Sequence, residues 1–375
     1  MTAFDLAAVR ADFPITAHCT YVDHAAVGPI SRPVQAAMVE QATLQMDWSS
    51  LRSDVWRDRE TRARELAAAL VNAAPERIAM IQNTSHGLSI VTQGIDWRAG
   101  DNVVLAACEF PSNYYPWINL EARGVEARLA RRDDGRPTAA DLAPLIDART
   151  RVVAVSQVQY LTGFRSDLGP IAELCRGHDA LLVVDGMQGV GAMTIDLAAT
   201  GVDVLAVSAH KWLLGPLGIG FLALSDRAFE RLSVAAVGWL SVEDPFAFNY
   251  RLDLLQDARR FEPGTENAAG ISGLHAALQM IADLGATAIE GRVIDLTDRL
   301  CDGVRGKRYE VLSSRRPGEA SGIVTFRGDG GRTERALERL AAADILVSAR
   351  AGGVRISPHH YNSEDEIDHI VATLP

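Results

Sequence analysis

The chain has 375 residues, 48% of them hydrophobic and 23% charged, a balance that excludes a disordered chain and supplies a core without disulfides or metal clips. A formal net charge of -11, with 37 Lys and Arg that gather into no basic block, argues against a nucleic-acid partner, which would need a dense positive face. Four scattered cysteines with no CxxC pair exclude a zinc ribbon or a disulfide scaffold, and no apolar run is long enough to span a bilayer.

In chain order, the opening MTAFDLAAVRADF carries acidic residues and no long apolar stretch, unlike a signal peptide, so a cytoplasmic protein is expected. Phe4 to Phe13 predicts a short amphipathic helix, and Tyr21-Val22-Asp23 a brief extended piece. Pro29 and Pro33 punctuate the start of a helix running to about Met46, and a second helix spans Val55 to Asn72, closed by Pro75. Strands and helices then alternate. The strands are Ile78–Gln82, Val103–Ala106, Val125–Leu129, Val152–Val158, Leu181–Asp185, Val204–Ser208 and Ile219–Leu224. The intervening helices are Ser85–Gly94, Pro116–Arg123, Thr138–Ile146 and Leu168–His178. Short continuous apolar runs between amphipathic helices predict an α/β fold with a mostly parallel seven-stranded sheet covered on both faces. Residues 235–262 show little periodicity and read as a segment beside the working site. Helices at Ala268–Leu284 and Glu290–Leu300 follow, then strands at Tyr309–Ser313, Gly322–Phe326 and Ile345–Ser348, and a closing helix at Glu364–Val371. The expected division is a large cofactor-binding domain over 16–258 and a smaller α+β domain from 1–15 and 259–375.

Three segments carry chemistry. Lys211 directly follows the apolar strand Val204–Ser208, a setting that deprotonates an amine and suits a Schiff-base lysine, although a lysine at a strand exit can also simply face solvent. Asp185 ends another apolar run, with Gln188 three residues on; open parallel sheets bind ligands at such carboxyl ends, and an anion there keeps a pyridine nitrogen protonated. An Asp capping the next turn explains the same residue equally well. Gln82-Asn83-Thr84-Ser85-His86-Gly87 lies between a strand and a helix, where free N–H groups and hydroxyls make an anion cradle or a plain N-cap. No GxxxxGK[ST] or GxGxxG motif is present. Taken together, the three meet the needs of pyridoxal 5'-phosphate (PLP): a phosphate cradle, an acidic ring partner and an aldehyde anchor.

From Tyr21-Val-Asp-His-Ala-Ala to Tyr361-Asn362 the chain resembles the class V aminotransferase family of fold-type I PLP enzymes, which includes cysteine desulfurases, isopenicillin N epimerase and kynureninase. The resemblance implies that Lys211 forms the Schiff base, Asp185 faces the ring nitrogen, and Gln188 contacts the ring oxygen. Thr84, Ser85, Ser208 and His210 would hold the phosphate. Phe110, in Glu109-Phe-Pro-Ser-Asn113, matches the ring laid over the cofactor, where desulfurases have a histidine. Tyr160 stands where desulfurases often place an asparagine. Arg260-Phe-Glu-Pro-Gly-Thr265-Glu-Asn267 resembles a stretch whose threonine reaches the phosphate of a neighbouring subunit, which implies a homodimer. Arg355 resembles the clamp on a substrate α-carboxylate, a task suited to its rigid fork, with Ala26 and Asn113 on the same substrate side. No metal is expected: His359 and His360 have no carboxylate or cysteine spaced to complete a site.

The expected activity is that of an aminotransferase-like enzyme removing the α-proton of a small amino acid. The alternatives are a β-lyase of the cysteine or carbon–sulfur type, an epimerase or racemase, and a kynureninase-like hydrolase. Ser348-Ala-Arg350-Ala-Gly-Gly353-Val-Arg355 is short and lacks the cysteine that desulfurases use to accept sulfur, which disfavours a protein-bound persulfide.

Overall fold

The computed structural model describes residues 5–375, so the predicted helix start at Phe4 lies outside it. A short strand β1 (Thr20–Tyr21) precedes two long helices, Arg32–Trp48 and Ser53–Val71. The main sheet comprises β2 (Ile78–Ile81), β3 (Asn102–Ala106), β4 (Glu126–Ala130), β5 (Thr150–Ser156), β6 (Leu181–Asp185), β7 (Val204–Ser208) and β8 (Gly220–Leu224). Their spatial order is β2-β8-β7-β6-β5-β3-β4, the seven-stranded sheet expected from the sequence. All pairs are parallel except those of β8, which runs against both β2 and β7. The β7–β8 link carries no crossover helix, and without one a strand can return only antiparallel.

Every residue of β2, β3, β6, β7 and β8 is buried, because helices cover both faces of the sheet. Edge strand β4 is instead half-exposed and carries Glu126 and Arg128, charges that discourage pairing with another chain. Helix Ala268–Leu284 packs on the two long N-terminal helices and sends Ile271, Leu274, Leu278 and Ile281 into the same core as Val184 and Leu205.

The smaller C-terminal β-rich domain is built on β9 (Glu310–Val311), β10 (Val324–Arg327), β12 (Ser348–Arg350) and β13 (Gly353–Ile356), in the order β12-β13-β10-β9. Strand β11 (Ile345–Leu346) pairs with β1 instead, so the single strand expected over Ile345–Ser348 divides between two sheets. Two predicted helices are also broken. Thr138–Ile146 begins as Ala139–Leu142 with a capping box from Thr138 and Asp141, then tightens to 3-10 at Ala143–Leu145, where Pro144 cannot donate an α-helical hydrogen bond. Pro116–Arg123 becomes Tyr115–Ile118 followed by a 3-10 turn ending at Gly124. Helix Arg332–Ala342 and strand β13 go beyond the sequence expectation. No helix among the described residues is long and apolar enough to cross a membrane.

Candidate active site

The carboxyl ends of β5, β6 and β7 open into a cavity of about 260 Å³. Ala26, Thr84, Ser85, Phe110, Tyr160, Asp185, Gln188, Ser208, His210 and Lys211 all line it, together with Asn83, Ser112, Ser156 and Met187. Residues from six stretches of chain thus converge because parallel strands end at one edge of the sheet.

Lys211 is held by a tight return after β7. Ala209 N–H donates to Ile219 O, Gly215 N–H to Ala209 O, and Leu214, in a left-handed conformation, donates to Lys211 O. Only 9% of Lys211 is exposed. Burial pushes its ammonium down to about 8, helped by Arg355 and Arg350 and opposed by Asp185 and Asp23. The amine lies 5.4 Å from the centre of the Phe110 ring, which meets Tyr160 edge-on. Asp185 is buried and pushed up to about 6 by that burial, while the Met187 N–H and the Lys211 charge favour its ionised form.

The cradle is assembled from two elements. Asn83 caps helix Thr84–Gly94 by accepting from the His86 N–H, and the Thr84 N–H donates 2.7 Å to Ser208 Oγ. Thr84 Oγ1 lies 3.0 Å from the same hydroxyl, and Ser85 donates to Ser112. His210 Nδ1 is buried with no hydrogen-bond partner in the described protein. Two hydroxyls, a helix N-terminus and an unused imidazole nitrogen fit a bound phosphate, and the buried Asp185 fits a protonated ring nitrogen. The residues present therefore suit PLP.

Other expected site residues have different surroundings. Gln188 lines the cavity, but its amide already donates to Ala25 O and accepts from the Trp212 indole. Asn113, expected on the substrate side, is not among the residues that line the cavity. It is fully buried, donates to Glu109 and accepts from Trp117. Arg355 is buried and donates to Tyr160 O at 3.0 Å and to Asp23 at 3.3 Å, with Nε unpaired, so a substrate carboxylate would compete with Asp23. Thr265 lies outside the cavity, in a surface groove with Trp239 and Phe246. In that groove Glu60, Glu262 and Glu266 come close enough to hold a cation, but Arg64 already bridges Glu60 and Glu262 at 2.6 Å each.

One of the paired histidines reaches the lysine loop. His359 Nε2 donates to Trp212 O, and burial pushes its imidazole down to about 4, keeping it neutral.

The strongest feature outside the sequence expectation is Glu109. Its buried carboxylate accepts from Ser156 N–H, Ser156 Oγ, Gln159 Nε2 and Asn113 Nδ2, and burial pushes it up to about 7. It ties the loop bearing Phe110 to the end of β5. An acid between an apolar strand and a Phe-Pro pair was the available signal.

A model of the family Aminotransferase class-V matches residues 20–370. A probable cysteine desulfurase of Methanothermobacter thermautotrophicus is 31% identical over 389 residues, covering 98% of this chain and 96% of that one. A solved complex of the cystine C–S lyase C-DES with its reaction product cysteine persulfide superposes with a TM-score of 0.89 at 26% identity, over 96% of this chain and 98% of that one. A mutant of C-DES with glycine covalently linked to its PLP cofactor gives a TM-score of 0.88 at 26% identity, over 97% and 98% of the two chains.

Proposed function

We propose a reaction for this chain, which belongs to the aminotransferase class-V family: it is a carbon–sulfur lyase that releases sulfur in a small molecule. It is a PLP-dependent enzyme of fold type I. The lyase alternative now stands ahead of transamination, because the similar proteins are desulfurases and a cystine lyase.

One observation carries the small-molecule product: none of the four cysteines reaches the cavity. Cys175 and Cys301 are buried elsewhere, and Cys19 lies near the N-terminus against Ile15 O. Cys108, one residue before Glu109, turns toward Gly135 O, and burial together with Glu109 pushes its thiol up to about 12. Only the thiolate accepts sulfur. The β12–β13 hairpin closes through Ala351 and Gly352, both in left-handed conformations, so no long loop is available to bring in a thiol.

When bound, PLP supplies an electron sink for bonds broken at Cα. Lys211 would hold its aldehyde carbon, and its amine would take the α-proton; near-neutral basicity suits that task. Asp185 holds the proton on the ring nitrogen, and Thr84, Ser208 and His210 hold the phosphate. Phe110, which lines the cavity, would stack on the cofactor and carries no proton, so proton movement falls to Lys211. Arg355 holds the substrate α-carboxylate, exchanging it for Asp23. The Cβ–S bond then breaks with its electron pair leaving on sulfur, and water converts the remaining three carbons to pyruvate and ammonium. A homodimer is part of the same proposal: Thr265 lies away from its own cavity, as a residue serving a second copy must.

The test mixes holoenzyme with cystine or cysteine and no keto acid. Pyruvate and ammonium should form over many turnovers, in Cys108→Ser as in the parent protein. Stoichiometric conversion to the pyridoxamine form without pyruvate would overturn the lyase reading. Loss of turnover in Cys108→Ser would overturn the small-molecule product.

A further inference from the structure

We infer that Tyr160 is a catalytic acid for the carbon–sulfur cleavage, giving its phenolic proton to the departing sulfur. The inference deepens the lyase reading above and rests on it.

Breaking the Cβ–S bond calls for a proton taken from Cα and, when the leaving thiol is weakly acidic, a proton given to sulfur. Lys211 serves the first and, by itself, would have to serve the second. The other polar side chains of the cavity are engaged. Asp185 serves the ring nitrogen, and Thr84, Ser208 and His210 serve the phosphate in the reading above. Ser85 donates to Ser112, and Ser156 donates to Glu109. Phe110 and Met187 have no proton to give. Tyr160 is different: it lines the cavity, is half-buried, and its hydroxyl makes no hydrogen bond among the described residues.

Direct contacts fix where this residue stands. Its carbonyl accepts from Arg355 Nη1 at 3.0 Å, the residue that takes the substrate α-carboxylate in the same reading. Its ring meets Phe110 edge-on with centroids 5.2 Å apart, and Lys211 Nζ lies 5.4 Å from the centre of that Phe110 ring. The turn that carries it is closed by Gly163 N–H donating to Gln159 O and Gln159 N–H donating to Phe164 O. Gly163 is left-handed, and a Cβ there would lie 2.4 Å from Ile323 O, so the turn is seated against the small domain. A substrate with its carboxylate at Arg355 and its Cα facing Lys211 has its β-sulfur in this neighbourhood. Burial and Cys108 push the phenol up against the pull of Arg350 and Arg355, so at neutral pH it holds the proton an acid must give. The step balances: the Cβ–S electron pair leaves on sulfur, the Tyr160 O–H bond breaks and an S–H bond forms. The phenolate regains a proton through solvent from the Lys211 ammonium, which holds the one taken from Cα.

S-ethylcysteine and S-trifluoroethylcysteine are close in size, but the fluorinated thiol is far more acidic and leaves without help. For each, kcat/KM is read from pyruvate release and Kd from the change in cofactor absorbance on binding. Tyr160→Phe keeps the ring against Phe110 and the carbonyl against Arg355. In holoenzyme it should lower kcat/KM about 100-fold for S-ethylcysteine and less than about threefold for the fluorinated compound. Kd, the visible cofactor band and thermal melting should not move. Equal losses for both compounds overturn the acid, and a shifted cofactor band alongside them would place the hydroxyl on the cofactor instead. No loss for either compound also overturns it and leaves the sulfur proton to Lys211. If the parent protein releases pyruvate from neither compound nor from cystine, the lyase reading falls and takes the acid with it; turnover with equal losses removes the acid alone.

Discussion

Gly28 tests whether the lysine loop is as tightly held as its contacts imply. Its N–H donates to His210 O at 2.8 Å, drawing the segment that carries Ala26 against the loop. A Cβ added there would lie 2.2 Å from Lys211 O and 2.9 Å from Leu214 Cδ2. Gly28 is not among the positive-φ glycines, so Gly28→Ala costs packing rather than backbone strain. Ordinary contact begins near 3.4 Å, so one piece of chain must move by about 1.2 Å. Overpacking of this kind costs about 1–3 kcal/mol. A displacement of that size at a reacting group lowers turnover on the order of 10²-fold. The assay compares kcat/KM, visible cofactor absorbance and thermal melting of holoenzyme with those of Gly291→Ala. Gly291 sits exposed in helix Ala286–Gly306 with nothing within 4 Å of an added Cβ, so its substitution should stabilise slightly. If Gly28→Ala keeps parental kcat/KM and melting, Lys211 is not positioned by this close approach.

The remaining expectations concern charge. Glu109→Ala strands four buried donors and should lower stability by about 2–4 kcal/mol, loosening cofactor binding through Phe110; unaltered melting of holoenzyme would refute the network. In cofactor-free protein, Asp185 moves from an ordinary 3.8 to about 6, so the folded state keeps a proton that the unfolded chain releases. Its contribution is present below pH 4 and lost as pH rises through 6, about 3 kcal/mol in all. Asp185→Asn should remove that part of the melting-versus-pH curve, and a variant curve parallel to the parent's would count against it. Arg355→Ala should raise KM for the amino acid by about 10–100-fold, with a smaller loss of cofactor affinity; equal losses of both would mean a structural role.

Much of the fold was legible because its signals are local. The apolar runs Leu181–Asp185 and Val204–Ser208 appear as strands with the expected ends, and Ala268–Leu284 as a helix, since burial on both faces and helical periodicity are written in neighbouring residues. Boundaries failed where local rules met long-range partners. Ile345–Ser348 reads as one strand, yet β11 finds β1 some 325 residues away while β12 finds β13.

The candidate site divides along the same line. Sequence by itself determined which groups stand at strand ends: Thr84, Asp185, Ser208, His210 and Lys211 each follow an apolar run, and a parallel sheet gathers such ends at one edge. Only the tertiary structure decided how their side chains are engaged. It turned the Asn113 amide inward onto Glu109 and gave Asp23 to Arg355. It also turned Cys108 away from the cavity. A side chain's hydrogen-bonding capacity is fixed by its type, but which partner uses it depends on segments hundreds of residues apart, and no local pattern records that choice.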